Sequence, residues 1–160
     1  MNIKKICAGI IALSLLQVAD VRAQGDLFGG NELGYEFFGT WASRDRKNLD
    51  DDQLGLGAGV NYFFTRNIGV EAETYLEDFD WPDHLDLSAV ARFPLSSLSI
   101  DPYVYAGFGR QWRDNIQWTG HIGAGAEYRW SGRTGVFFDI REVFADKDFT
   151  LLRLGVRFGF

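Results

Sequence analysis

The chain has 160 residues, with 16 Lys and Arg against 22 Asp and Glu and a formal net charge of −6. That balance excludes the basic footprint of a nucleic-acid-binding protein. Aromatic residues make up 16%, Gly is frequent at 19 and Pro is scarce at 3. Such a composition suits many strands better than a helical domain.

The first residues read as an export address. Lys4 and Lys5 precede an apolar stretch from Ile6 to Val18, and Val21-Arg22-Ala23 offers a cleavage site with Gln24 as the first mature residue. The apolar stretch is shorter than the roughly 20 residues a membrane anchor requires. The expected division is therefore a cleaved signal over 1–23 and a single domain over 24–160. Removing Lys4, Lys5, Arg22 and Asp20 leaves 13 basic and 21 acidic residues. Cys7 is the only cysteine and lies in the signal, so no disulfide or cysteine metal site is expected in the mature chain. Beyond the signal, no run of about 18 apolar residues offers a membrane helix.

From residue 33 onward the chain alternates with a period of two, the mark of strands with two unlike faces. In 33–43, Tyr35, Phe37, Gly39 and Trp41 oppose Glu36, Phe38, Thr40 and Ala42. In 53–64, Leu54, Leu56, Ala58, Val60 and Tyr62 oppose a set rich in Gly, and in 68–77, Ile68, Val70 and Ala72 oppose Glu71 and Glu73. Segment 85–93 sets Leu85, Leu87 and Ala89 against Asp86, Ser88 and Arg92. Segment 102–112 reads Val104, Ala106 and Phe108 outward, with Tyr103 and Tyr105 inward. Segment 116–130 sets Trp118, Ile122, Ala124 and Tyr128 against His121, Gly123, Gly125, Glu127 and Arg129. In 135–144, Val136, Phe138 and Ile140 oppose Phe137, Asp139 and Arg141. The last segment, 152–160, has Leu152, Leu154, Val156, Phe158 and Phe160 on one face and Arg153, Gly155, Arg157 and Gly159 on the other.

Eight such segments, an even number, let an antiparallel meander close with both ends on one side. Tight turns at Thr65-Arg66-Asn67 and Ser131-Gly132-Arg133-Thr134 alternate with the charged connectors Ser43–Asp52, Glu77–His84, Arg110–Asn115 and Ala145–Asp148. Trp41, Trp81, Trp112, Trp118, Trp130, Tyr62 and Tyr128 cluster near strand ends, as interfacial girdles do. The expected fold is all-β, an eight-stranded antiparallel up-and-down transmembrane β-barrel. Its rival is a soluble barrel of the lipocalin kind, with the apolar face inward. Gly55, Gly57, Gly59, Gly123 and Gly125 all fall on the polar face, and small residues suit a crowded lumen, which favours the membrane form.

The segments Pro102-Tyr-Val-Tyr-Ala-Gly-Phe-Gly109, Gly123-Ala-Gly-Ala-Glu-Tyr128 and Gly155-Val-Arg-Phe-Gly-Phe160, with the signal, resemble the OmpA-like outer-membrane β-barrel superfamily in its compact single-domain form. The resemblance covers essentially the whole mature chain. It implies an outer-membrane location, contact with lipid and lipopolysaccharide, and a terminal strand, ending in Phe158 and Phe160, that the barrel-assembly machinery reads. The sequence carries no peptidoglycan-binding domain after the barrel, so a cell-wall tether is not expected.

Charged residues on the inner face need partners, because an unpaired buried charge costs several kcal/mol. Glu36, Glu71, Arg92, Glu127, Arg129, Asp139, Arg141, Arg153 and Arg157 are the expected lumenal ion-pair network. Within it Glu71 is expected opposite Arg92, Asp139 and Arg141 within reach of Arg129 and Arg153, and Arg153 or Arg157 against Glu36. His121 is the one candidate for catalysis. It lacks the His-x-Ser arrangement of the outer-membrane lipid A deacylases and should face the lumen. Asp50-Asp51-Asp52 and Glu77-Asp78-Phe79-Asp80 could hold a divalent cation, but their spacing does not match an EF-hand loop. Trp81, Phe79 and Trp112 could anchor an extracellular ligand.

The expected protein is thus a small, non-enzymatic, monomeric outer-membrane barrel without cofactor or metal. Its polar lumen is plugged, and it serves envelope integrity or surface interaction through its outer loops. A narrow gated channel and a lipid A-modifying enzyme are the alternatives.

Overall fold

Side chains that alternate between apolar and polar leave a sheet two unlike faces, and closing the sheet on itself separates them completely. The computed structural model describes residues 27–43, 53–77, 82, 84–112, 116–146 and 148–160. Its strands are β1 (Glu32–Ser43), β2 (Gln53–Phe63), β3 (Ile68–Glu77), β4 (His84–Arg92), β5 (Ile100–Gln111), β6 (Gln117–Ser131), β7 (Thr134–Phe144) and β8 (Phe149–Gly159). Each pairs antiparallel with its sequence neighbour, and β8 pairs with β1 to close the barrel. Closure extends past the ladder, since the Phe160 N–H donates to the Leu33 carbonyl at 2.7 Å.

The two faces divide as the alternation requires. Trp118 is 69% and Leu154 64% exposed on the outside, whereas Arg153, between Leu152 and Leu154, is 0% exposed. A soluble barrel would invert this arrangement, so the apolar band is a lipid-facing surface. Trp41, Trp112, Trp130 and Tyr128 are likewise exposed, while Trp81 lies outside the described residues.

Two segments begin two or more residues earlier than the sequence reading. β8 begins at Phe149 rather than 152, because Phe149 and Leu151 turn inward and join Phe38, Ala42, Tyr75, Phe137 and Val143 in an apolar cluster. β5 begins at Ile100 rather than 102, because a bridge from Leu95 to Ile100 spans a short 3-10 turn at Ser96–Leu98.

The inward glycines make room for aromatic rings. A Cβ on Gly57 would lie 2.2 Å from the Phe38 ring, and one on Gly123 would lie 2.3 Å from Tyr105. Both distances are far inside van der Waals contact, so any larger residue at either position would push the ring off the barrel wall.

Candidate functional site: the lumenal charge network

Strand register decides which charges meet. The β7–β8 ladder sets Asp139 directly opposite Arg153, and the β1–β8 ladder sets Glu36 opposite Arg157. Arg153 grips Asp139 with two parallel donors, Nε to Oδ1 and Nη2 to Oδ2, both at 2.8 Å. Such a fork is stronger and more directional than a point charge contact. Its Nη1 then crosses the lumen to Glu73 and to Glu71 at 3.4 Å, although β3 is not a sheet neighbour of β8.

Arg157 donates twice to Glu36 Oε2, at 2.5 and 2.8 Å, and reaches Glu127 at 2.9 Å and Glu71 at 3.1 Å. Arg141 joins Glu73 and Asp86, the latter at 2.7 Å. The Tyr103 and Tyr105 hydroxyls donate to the two oxygens of Asp139 at 2.7 and 2.8 Å, which completes its shell. Three arginines thereby tie both halves of the barrel wall together through its centre.

A second layer of charges lies nearer the Phe28 end of the barrel. Arg129 donates to Glu32 at 2.6 Å, to Glu127 at 2.5 Å and to the Leu27 carbonyl at 2.8 Å. Arg92 donates to the Gly29 carbonyl at 2.6 Å and to Glu32 at 3.2 Å, and lies 3.6 Å from Asp101. Phe28, fully buried, sits 4.5 Å from the Arg129 guanidinium and 5.7 Å from that of Arg92. The segment before β1 thus sets a buried aromatic ring against two guanidinium groups. At the other end, His84 stacks on Tyr75 at 4.2 Å and meets Phe149 edge-on at 6.2 Å, above the apolar cluster.

All nine charged residues named from the sequence face the lumen and are buried. Their pairing corrects the sequence reading in two places. Glu71 does not meet Arg92: the β3–β4 register sets Glu71 against Ser88 and leaves Arg92 level with Asn67, four residues nearer the termini. Arg129 does not meet Asp139, because β6–β7 pairing sets Arg129 against Gly135 and Asp139 against Gly125. The network also includes Glu32, Glu73, Asp86 and Asp101. Glu73 and Asp86 were visible in the polar sets of their strands, whereas Glu32 lies one residue before the expected start of its strand. Nothing local to Phe28 marks it as a buried ring beside Arg92 and Arg129.

His121 faces the lumen, and registers through β5 bring remote residues to it. Ser88 and His121 both pair with Gly107, so they meet across it, with Ser88 Oγ 2.7 Å from His121 Nε2. Asp86 Oδ2 stands 3.9 Å from His121 Nδ1. Serine, imidazole and carboxylate are therefore contiguous, as nucleophilic catalysis needs. Yet Ser88, His121 and Asp86 are each no more than 3% exposed, and even a Cβ on Gly107 would lie 2.7 Å from Nε2. His84 is buried against Tyr75. Asp50, Asp51, Asp52, Asp78, Phe79 and Asp80 lie outside the described residues.

An apolar outer belt around an ionic interior defines a membrane-spanning β-barrel. A family model described as an outer membrane protein beta-barrel domain matches residues 7–160, and the chain belongs to that family. The protein is an outer-membrane β-barrel protein. Among curated proteins none matches the sequence. Among solved structures, the N-terminal β-barrel domain of Pseudomonas aeruginosa OprF is similar with a TM-score of 0.66 at 21% identity, covering 82% of this chain and 99% of that one. The attachment invasion locus protein Ail of Yersinia pestis gives a TM-score of 0.57 at 14% identity, with 82% and 99% covered. OprG of Pseudomonas aeruginosa gives 0.55 at 10%, with 82% and 97% covered. At these identities the likeness is one of fold.

Proposed function

We propose that this protein is a non-enzymatic, non-conducting barrel that reinforces the outer membrane and presents its outer connectors to an extracellular ligand. One observation carries the reading: Arg153 is fully buried at mid-barrel and engages Asp139, Glu71 and Glu73 from opposite walls. A solute path would have to displace that hub, the Phe28 plug beneath it and the apolar cluster above it. An eight-stranded barrel has an interior only wide enough for side chains, which supports the same view. The crowding around Ser88 and His121 speaks against lipid A chemistry.

The surface role is proposed on the connectors and the exposed Trp112. Ail has been solved in complex with the heparin analogue sucrose octasulfate, so a small barrel of this fold can present a ligand site. Lipid and lipopolysaccharide would surround the belt, with the chain acting as a monomer. The terminal strand would be the segment read during assembly, with Phe158 and Phe160 as its aromatic signal. Phe160 packs its ring 4.7 Å from Tyr35 on β1, across the closing seam.

Recordings in planar bilayers test the plug. The refolded protein should show no discrete conductance; steady openings that change in size when Arg153 or Arg92 is substituted would replace this reading with the gated channel.

A further inference from the structure

The outer face of the barrel carries almost no charged side chains. Among the described strand residues only Arg110 and Glu142 stand on it, each near the end of its strand that leads to a charged connector. Glu142 accepts the Thr150 hydroxyl at 2.8 Å. Arg110 is different: among the described residues no carboxylate pairs with it, and its guanidinium lies 5.8 Å from the centre of the exposed Trp118 ring. A cation facing lipid is costly at the bilayer midplane and tolerated at the interface, so Arg110 marks the headgroup level of the belt.

One row nearer the middle of the barrel, the same face is hollow. The ladders set Leu87, Phe108, Gly120 and Phe144 side by side, just as Leu85, Arg110 and Trp118 share the row beyond. Gly120 faces outward, and a Cβ there would meet only Phe144, at 4.0 Å. Phe108, Trp118, Phe144 and Ile122, all exposed, therefore stand around a dent floored by backbone. Gly39, between Leu56 and Leu154, is the other outward strand glycine among the described residues, and no charged side chain faces outward beside it.

We propose that Arg110 and the Gly120 hollow together bind a phosphorylated lipid of the outer leaflet, of the lipid A class. The phosphate sits on the Arg110 guanidinium, whose planar fork of donors suits it. An acyl chain runs down through the hollow between the rings. The order matches that of the lipid: the cation stands at the headgroup, and the dent lies about 7 Å deeper along the strand, where the chains begin. A phosphate monoester, as on lipid A, carries more charge than the diester of a phospholipid, which favours lipid A as the occupant. The site deepens, and rests on, the reading that lipopolysaccharide surrounds the belt with the charged connectors outside.

The test titrates the whole protein, refolded into neutral detergent micelles, with lipid A and reads retained lipid by native mass spectrometry. A single lipid A should be held per barrel. The R110Q barrel should hold it roughly tenfold more weakly, as should the unchanged barrel offered dephosphorylated lipid A. G120L fills the hollow and should weaken binding roughly fivefold or more, while G39L should leave it unchanged. All three positions face outward, and a heat-shifted gel band confirms that each barrel has closed. Phosphatidylglycerol held as tightly as lipid A overturns the assignment of the lipid. Binding that survives R110Q, or that falls equally in G39L and G120L, overturns the site. Orientation is read separately in cells carrying Asn115→Cys, in the connector between β5 and β6. Reaction with an impermeant thiol reagent in intact cells supports an outer connector, and reaction only in broken cells overturns the orientation without altering the binding result.

Discussion

Replacing Arg153 with methionine keeps most of the side-chain volume and removes the guanidinium that four strands share. The loss can be sized from its contacts. Two charge-assisted bonds to Asp139 disappear, each at 2.8 Å, along with the reach to Glu71 and Glu73. Breaking a buried pair on one side costs about 3–5 kcal/mol, because the abandoned carboxylate keeps its desolvation cost without its partner. Asp139 retains the Tyr103 and Tyr105 hydroxyls, which holds the figure within that range rather than above it. The unfolding free energy of R153M in lipid vesicles should therefore fall by about 3–5 kcal/mol, followed by denaturant titration with tryptophan fluorescence and gel mobility. A second change, Asp139→Asn in the same chain, should recover part of the loss, since it removes the orphaned charge. A cost below about 1 kcal/mol for R153M, of the order of an exposed pair, would refute the picture of Arg153 as a buried hub.

Two other outcomes follow from the ends of the barrel. Phe28→Ala removes a fully buried ring from between Arg92 and Arg129, so stability should fall by about 3–5 kcal/mol in the same titration, while an unchanged midpoint would mean that the segment before β1 does not seal the barrel. Deleting Phe160 removes both its backbone bond to Leu33 and its ring contact with Tyr35. The proposed assembly role predicts slower formation of the heat-shifted band when the assembly machinery is present than the same deletion causes in spontaneous refolding; equal slowing in both would confine Phe160 to a structural latch.

How much could be read in the chain depends on whether the signal was local. The inward and outward sets of every strand were legible because a period of two is written residue by residue. Leu152 and Leu154 face lipid and Arg153 the lumen for that reason alone. Partners were legible only where strands are joined by tight turns or where closure allows one register. Asp139 with Arg153 and Glu36 with Arg157 follow from pairing β8 with β7 and β1. Glu71 with Arg92 failed because it depended on the register across the 78–83 connector, and a shift of a few residues carries a charge into another layer. Contacts across the lumen had no signal in the sequence at all. Arg153 to Glu73 joins strands that never touch in the sheet.

The sequence by itself determined the class: eight amphipathic strands, an apolar outer face, a charged inner one, and glycines where the interior is crowded. Those properties are sums over local choices, each set by the pleat and by the solvent that face meets. Tertiary structure decided what the interior does with its charges. Only closure of the barrel sets Phe28 against two arginines and gathers Glu36, Glu71 and Glu73 around the Arg153 guanidinium. The reason is physical: the energy of a buried charge depends on distances across the lumen, and those distances do not exist until β8 meets β1.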